Sequence, residues 1–181
     1  MKRHAPKILA AVILLAAAIF LTANKSTSPL TLPGYIPYGE IPAGYSLADA
    51  KADGCVVFEE LRITSGQAVW DAFVNQSACK KPCFVRLAFY YAPDLYIHDL
   101  AYDGNEYSLS SVEDGRSYRF IYKYLIKCTG TPSSPYAAFS EYTRYVLVND
   151  DTVTWERIER GMLSARSGDS IDHKTVYINL E

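Results

Sequence analysis

Residues 117–128 read SYRFIYKYLIKC, and that stretch decides the fold class. Tyr118, Phe120, Tyr122, Tyr124, Ile126 and Cys128 occupy alternate positions, with Arg119, Ile121, Lys123, Leu125 and Lys127 between them. A period of two belongs to a β-strand, whose successive side chains point to opposite faces. The stretch predicts one long strand, with its aromatic face on a core and its cationic face in solvent. The chain holds 15 tyrosines. Tyrosine has high strand propensity and packs its ring while its hydroxyl reaches water, so the excess reads first as sheet structure. An aromatic surface for sugars or peptides is the second reading.

Working outward, the period of two recurs. Val85, Leu87, Phe89 and Tyr91 alternate with Arg86, Ala88 and Tyr90, and after Pro93 residues 95–102 continue as a strand. Asp103, Gly104 and Asn105 tolerate positive φ and predict a tight turn, pairing 95–102 with 106–111 antiparallel. Residues 113–115 repeat that device. Beyond a loop at 129–135, strand signals return at 142–148, 153–158 and 175–180, with a turn at 149–151.

Upstream, Ser46 heads a capping box with Asp49 for a short helix ending before Gly54, and 55–58 reads as a strand. Thr64 and Gln67 predict a second capping box, ahead of a helical face of Val69, Trp70, Phe73 and Val74. An apolar stripe at that spacing packs a core. The expected fold is α+β: one amphipathic helix on a mainly antiparallel multi-stranded sheet, cystatin-like in outline.

Lys2, Arg3 and Lys7 precede an unbroken apolar run at 8–21, the order of an export leader. Residues 1–23 are expected to be either a cleaved signal peptide or an uncleaved N-terminal membrane anchor, since the run lies near the lower limit of roughly 17 residues for a span. Residues 24–44 hold Pro29, Pro33, Pro37 and Pro42. They read as a Pro-rich linker, reaching roughly 60 Å if extended, or as a segment in which Tyr35, Ile36, Tyr38 and Ile41 lie back on the domain. Residues 45–181 form the single α+β domain. The formal charge is −2, with 18 basic and 20 acidic residues. Without the leader's three cations it falls to −5, a balance that repels phosphate backbones and makes nucleic acid a poor partner.

The order Asp53-Gly54-Cys55-Val56-Val57, the aromatic helix, Val85-Arg86-Leu87, Tyr90-Tyr91 and Asp99-Leu100-Ala101-Tyr102-Asp103-Gly104 resembles a domain-of-unknown-function family of small exported bacterial proteins, typical of Firmicutes. The resemblance covers roughly half of the chain beyond the leader, and the segment after Cys128 departs from the shorter members. Many members look like lipoproteins, whereas the first cysteine here is Cys55. The resemblance implies export and fold, and assigns no chemistry.

Cys55, Cys79, Cys83 and Cys128 allow three disulfide pairings in an exported chain. An oxidising compartment would favour Cys79 with Cys83 and Cys55 with Cys128. Buried free thiols are an open alternative, and the spacing matches a structural zinc site poorly. His98 beside Asp99 and His173 beside Asp172 are not dyads, because neighbouring strand residues face opposite ways. No nucleophile elbow, HExxH helix, phosphate-cradling glycine loop or calcium-loop spacing is present. No cofactor and no metal is expected. Arg119, Lys123 and Lys127 read as a solvated face, and secondarily as a face for an anionic envelope polymer or partner. The expectation is a non-enzymatic extracytoplasmic module binding an envelope protein, peptide or cell-wall polymer. The alternative is a small envelope hydrolase or inhibitor-like domain whose residues are scattered in sequence.

Overall fold

A computed structural model describes residues 35–36, 38–113, 116–132, 137–164 and 166–180. The expected leader, residues 1–23, and residues 24–34 lie outside them; among the described residues no helix is long and apolar enough to cross a membrane. Ser46 opens α1 (Leu47–Ala52) with the expected capping box, its Oγ accepting from Asp49 N–H and the Asp49 carboxylate accepting from Ser46 N–H. The chain then forms β1 (Val56–Glu59), β2 (Arg62–Ser65), α2 (Gln67–Ala78) and β3 (Cys83–Tyr91). β4 (Asp94–Tyr102), β5 (Tyr107–Glu113), β6 (Arg116–Tyr122) and β7 (Tyr124–Gly130) follow. β8 (Tyr142–Val148), α3 (Trp155–Leu163) and β9 (His173–Leu180) complete the fold.

The architecture is α+β, with a six-stranded sheet in the order β2-β1-β3-β4-β5-β6 and a three-stranded sheet β7-β8-β9. Neighbours are antiparallel except β1 and β3, which pair in parallel because β2 and α2 intervene and return the chain to the same end of the sheet. The hairpin at Asp103 forms as the sequence predicts: Gly104 adopts φ +105° and the Asp103 carboxylate accepts from the N–H groups of Asn105 and Glu106.

Three expectations need correction. The alternating stretch 117–128 is two strands, not one. The chain bends at Lys123, so β6 pairs with β5 and β7 with β8. Its aromatic face is only partly core: Tyr122 is buried, whereas Tyr118 and Tyr124 are each 39% exposed. The physical reason is reach. α2 meets this sheet where Phe73 packs on Tyr107, the cross-strand partner of Tyr122, and Tyr118 lies roughly 13 Å farther along the strand. Second, Thr64 does not cap α2. It belongs to β2 and donates to Glu59 Oε1 at 2.6 Å, while Gly66 at φ +79° starts the helix. Third, residues 153–158 are not a strand. Thr154 caps α3, whose buried residues Trp155, Ile158 and Gly161 recur every third position.

α2 sits between the sheets. Trp70 packs against Phe73 at 5.7 Å and edge-on against Tyr145 of β8 and Tyr177 of β9, both at 4.8 Å. One cluster thereby joins Phe58, Leu87, Leu100 and Leu109 of the large sheet to Leu147, Val176 and Tyr177 of the small one. Burying each large side chain contributes about 1.5–3 kcal/mol.

The large sheet's other face is covered too. Tyr35, Ile41, Tyr45 and Leu47, with Ala50 of α1, pack over Cys55, Val57, Ala88 and Ile97. β3 is therefore buried on both faces, and Arg86, 2% exposed, lies inside. Its Nε and Nη2 donate to the two oxygens of Asp99 at 2.7 and 2.9 Å, a bidentate pair. Nη1 donates to the carbonyl of Ile36 at 2.8 Å, and the guanidinium lies 5.2 Å from the Tyr35 ring centre. A buried cation thus holds residues 35–36 against the sheet.

Buried and half-buried tyrosines set an alkaline limit. Burial pushes Tyr35 from the ordinary 10.0 up to about 12. Burial, with the Asp172 carboxylate accepting its hydroxyl, does the same for Tyr122, and burial drives Tyr177 higher still. The unfolded chain ionises first, so their stabilisation is complete below pH 10 and declines as pH rises towards and beyond 12. Base titration followed by circular dichroism and tyrosinate absorbance should show unfolding and ionisation together above pH 10; free ionisation of every tyrosine in a folded chain would contradict the packing.

Candidate functional site

A groove of about 700 Å³ opens between the large sheet and β9. The β3–β4 register places Leu87 opposite His98, Phe89 opposite Tyr96 and Tyr91 opposite Asp94, all on the face turned towards α2 and the small sheet. Phe89, Tyr91, Tyr96 and His98 form one wall. Val176, Tyr177 and Ile178 of β9 form the other, with Leu61 between β1 and β2. Tyr91 and Tyr96, 46% and 45% exposed, stand 6.2 Å apart between ring centres. Phe89 lies deeper, 5.0 Å from the His98 ring.

Two backbone irregularities shape this groove. β8 and β9 slip register beyond Tyr145: Tyr145 faces Tyr177 while Val146 faces Thr175, leaving Val176 as an extra residue. That bulge lets the consecutive residues Val176 and Tyr177 both turn inward. Across the groove, the two-residue turn between β1 and β2 holds Glu60 at φ +52° and Leu61 at φ +64°. Such turns favour Asn-Gly, and a left-handed leucine costs about 1–2 kcal/mol. The Leu61 carbonyl accepts from Leu180 N–H at 3.0 Å, tying the turn to β9.

The structure holds no disulfide: all four cysteines are free thiols, the arrangement left open as the alternative. Cys79 ends α2 in solvent, whereas Cys83 begins β3 with its thiol in the core, donating to the Phe73 carbonyl at 3.6 Å. Cys55 lies on the large sheet's outer face beneath Tyr45, and Cys128 lies beside Trp155 on the small sheet, in separate clusters. Burial pushes the Cys83 thiol up to about 11, and also raises Cys55 and Cys128. Native protein should therefore take one rapid alkylation, at Cys79, and four after denaturation without reductant. Intact-mass analysis showing two or fewer available thiols after denaturation would contradict the arrangement.

His98 and His173 are not brought together. His98 lines the groove, while Asp99 faces the opposite side of the sheet and is held by Arg86. His173 Nδ1 bonds with the Ile171 carbonyl at 2.8 Å, and Asp172 accepts from Tyr122. Among the described residues no group of three or more His, Cys, Asp or Glu is placed to share a metal ion.

Arg119, Lys123 and Lys127 are exposed but spread over both sides of the bend. Glu106 N–H and Asn105 N–H hold Asp103 below the usual carboxylate range, with Arg119 adding to the effect. Lys123 shares a depression of about 550 Å³ with Glu106 and Asp151.

No family model matches the chain, and no curated protein and no solved structure matches it significantly.

Proposed function

We propose that this chain is a non-enzymatic binding module of the bacterial cell envelope, holding an apolar segment of a partner polypeptide in the groove between its sheets. The lining carries the reading: two exposed tyrosines over a floor of Phe89, Val176 and Tyr177 offer ring faces and aliphatic surface for desolvating apolar side chains. A glycan site would flank its rings with more hydrogen-bonding groups than His98, Thr175 and the tyrosine hydroxyls supply. The left-handed Leu61 and the Val176 bulge support it, because costly backbone geometry concentrates where a surface is kept for contact. The leader-like start and the resemblance to small exported proteins support the envelope setting. The alternative, a small envelope hydrolase or inhibitor-like domain, has less support, since Asp99 and Asp172 are both engaged away from the neighbouring histidines.

The test compares the immobilised full chain with its Tyr91→Ala/Tyr96→Ala variant in retaining components of an envelope extract. Both tyrosines are nearly half exposed, so the variant should fold like the wild type. Retention of a polypeptide should fall about tenfold or more, as when central aromatic anchors are removed. Equal retention by a folded variant would overturn the groove assignment, and retention of glycan alone would overturn the polypeptide assignment.

A further inference from the structure

The two edges of the large sheet differ. At β2 the edge is closed: Ile63 N–H donates to Asn179 Oδ1 at 3.0 Å and Leu180 N–H to the Leu61 carbonyl at 3.0 Å. At the opposite edge, β6 has β5 as its one strand partner among the described residues, so half of its backbone N–H and C=O groups are directed away from the sheet. Arg116, Ser117, Tyr118 and Arg119 are exposed along it, and Ile121 is 51% exposed.

Charge distinguishes what could pair there. Residues 116–130 contain Arg116, Arg119, Lys123 and Lys127 and no carboxylate. Arg119 makes no ion pair with another described residue, and Arg116 stands opposite Glu113 in the β5–β6 register. A second copy joined edge to edge would bring arginines towards arginines, which cross-strand pairing disfavours. Charge alone on an edge keeps strands apart, but Tyr118 and Ile121 add apolar surface that such protection does not use. We propose that the free edge of β6 accepts an extended acidic segment of a partner protein as a seventh strand of the large sheet. Its main chain pairs with the outward groups of β6; on one face a carboxylate meets Arg116 and an apolar side chain meets Tyr118, and on the other face a carboxylate meets Arg119 and an apolar side chain meets Ile121. This surface is separate from the groove and stands or falls without it.

The experiment uses the full chain and a fluorescent peptide with capped ends that repeats Val-Ser-Glu, a spacing that sets carboxylates opposite both Arg116 and Arg119 and valines opposite Tyr118 and Ile121. Two further peptides serve as controls, one with lysine replacing glutamate and one acidic peptide N-methylated at alternate amides, which keeps the charge but cannot pair as a strand. The acidic peptide should bind saturably, weaken with salt, and slow hydrogen exchange at β6 amides. Arg116→Glu/Arg119→Glu should weaken it at least about tenfold, and both controls should fail. Equal binding of the N-methylated peptide shows attraction to any polyanion and overturns strand addition, as does no binding of the acidic peptide. Self-association of the chain with protection at β6 overturns it in favour of a second copy. Where the arginine variant does not fold, the N-methylated peptide on wild-type protein gives the decision.

Discussion

Gly66→Ala should prevent the protein from folding stably. Gly66 adopts φ +79° at the entrance to α2, and a Cβ there would stand 2.5 Å from the Cys55 carbonyl oxygen and 2.9 Å from Val56 Cα. Both obstacles are backbone, and β1 is clamped between β2 and β3, so neither can move without breaking strand pairing. A left-handed alanine alone costs about 1–2 kcal/mol. Displacing the helix that carries Trp70 and Phe73 raises the loss to at least about 4 kcal/mol, a large part of a domain's stability of about 5–15 kcal/mol. Gly54→Ala is the control: φ is +75° but nothing lies within 4 Å of the added carbon, so only the conformational cost of about 1–2 kcal/mol applies. Urea denaturation of the two variants measures the difference. Equal losses would mean that α2 does not approach β1 as described.

Asp99→Ala should cost about 3–5 kcal/mol, because it leaves Arg86 charged, buried and without its bidentate partner. Replacing both residues, as Arg86→Met/Asp99→Leu, should destabilise less than Asp99→Ala alone, since well-packed apolar side chains replace a buried pair at little net cost. The double variant still loses the bond from Arg86 to the Ile36 carbonyl. The double variant should therefore loosen residues 35–36, and alkylation of Cys55, covered by the neighbouring Tyr45, should accelerate in it. A loss below about 1 kcal/mol for Asp99→Ala would place the pair in solvent.

Much of the fold is legible in local pattern. The period of two gives β3 to β6, the Ser46 capping box gives α1, and Asp103-Gly104-Asn105 gives the β4–β5 turn. What local pattern omits is decided by pairing at a distance. Alternation continues unbroken through Lys123, yet β6 and β7 belong to different sheets, and only their partners β5 and β8 determine that. Residues 153–158 look strand-like because Val153, Trp155 and Ile158 favour strands, although Thr154 as a cap and the three-residue spacing of Trp155, Ile158 and Gly161 carry the helix signal.

The buried Arg86–Asp99 pair did have a signal. A two-residue turn at Ala92–Pro93 fixes Tyr91 opposite Asp94 and, counting back, Phe89 opposite Tyr96, Leu87 opposite His98 and Arg86 opposite Asp99. The same register yields one wall of the groove. Its other wall has no such signal, because the bulge at Val176 and the left-handed Leu61 follow from the way β9 meets the β1–β2 turn. Nor can spacing tell that Cys79 faces solvent and Cys83 the core.

The most direct test of the groove as a binding surface is hydrogen exchange of the full chain, alone and with the polypeptide eluted from it after envelope capture. Protection confined to 89–98 and 174–178, with the partner recovered at unchanged mass, is the predicted result. Protection absent from both segments, or a partner recovered cleaved or otherwise altered in mass, would contradict a non-enzymatic module that binds through this groove.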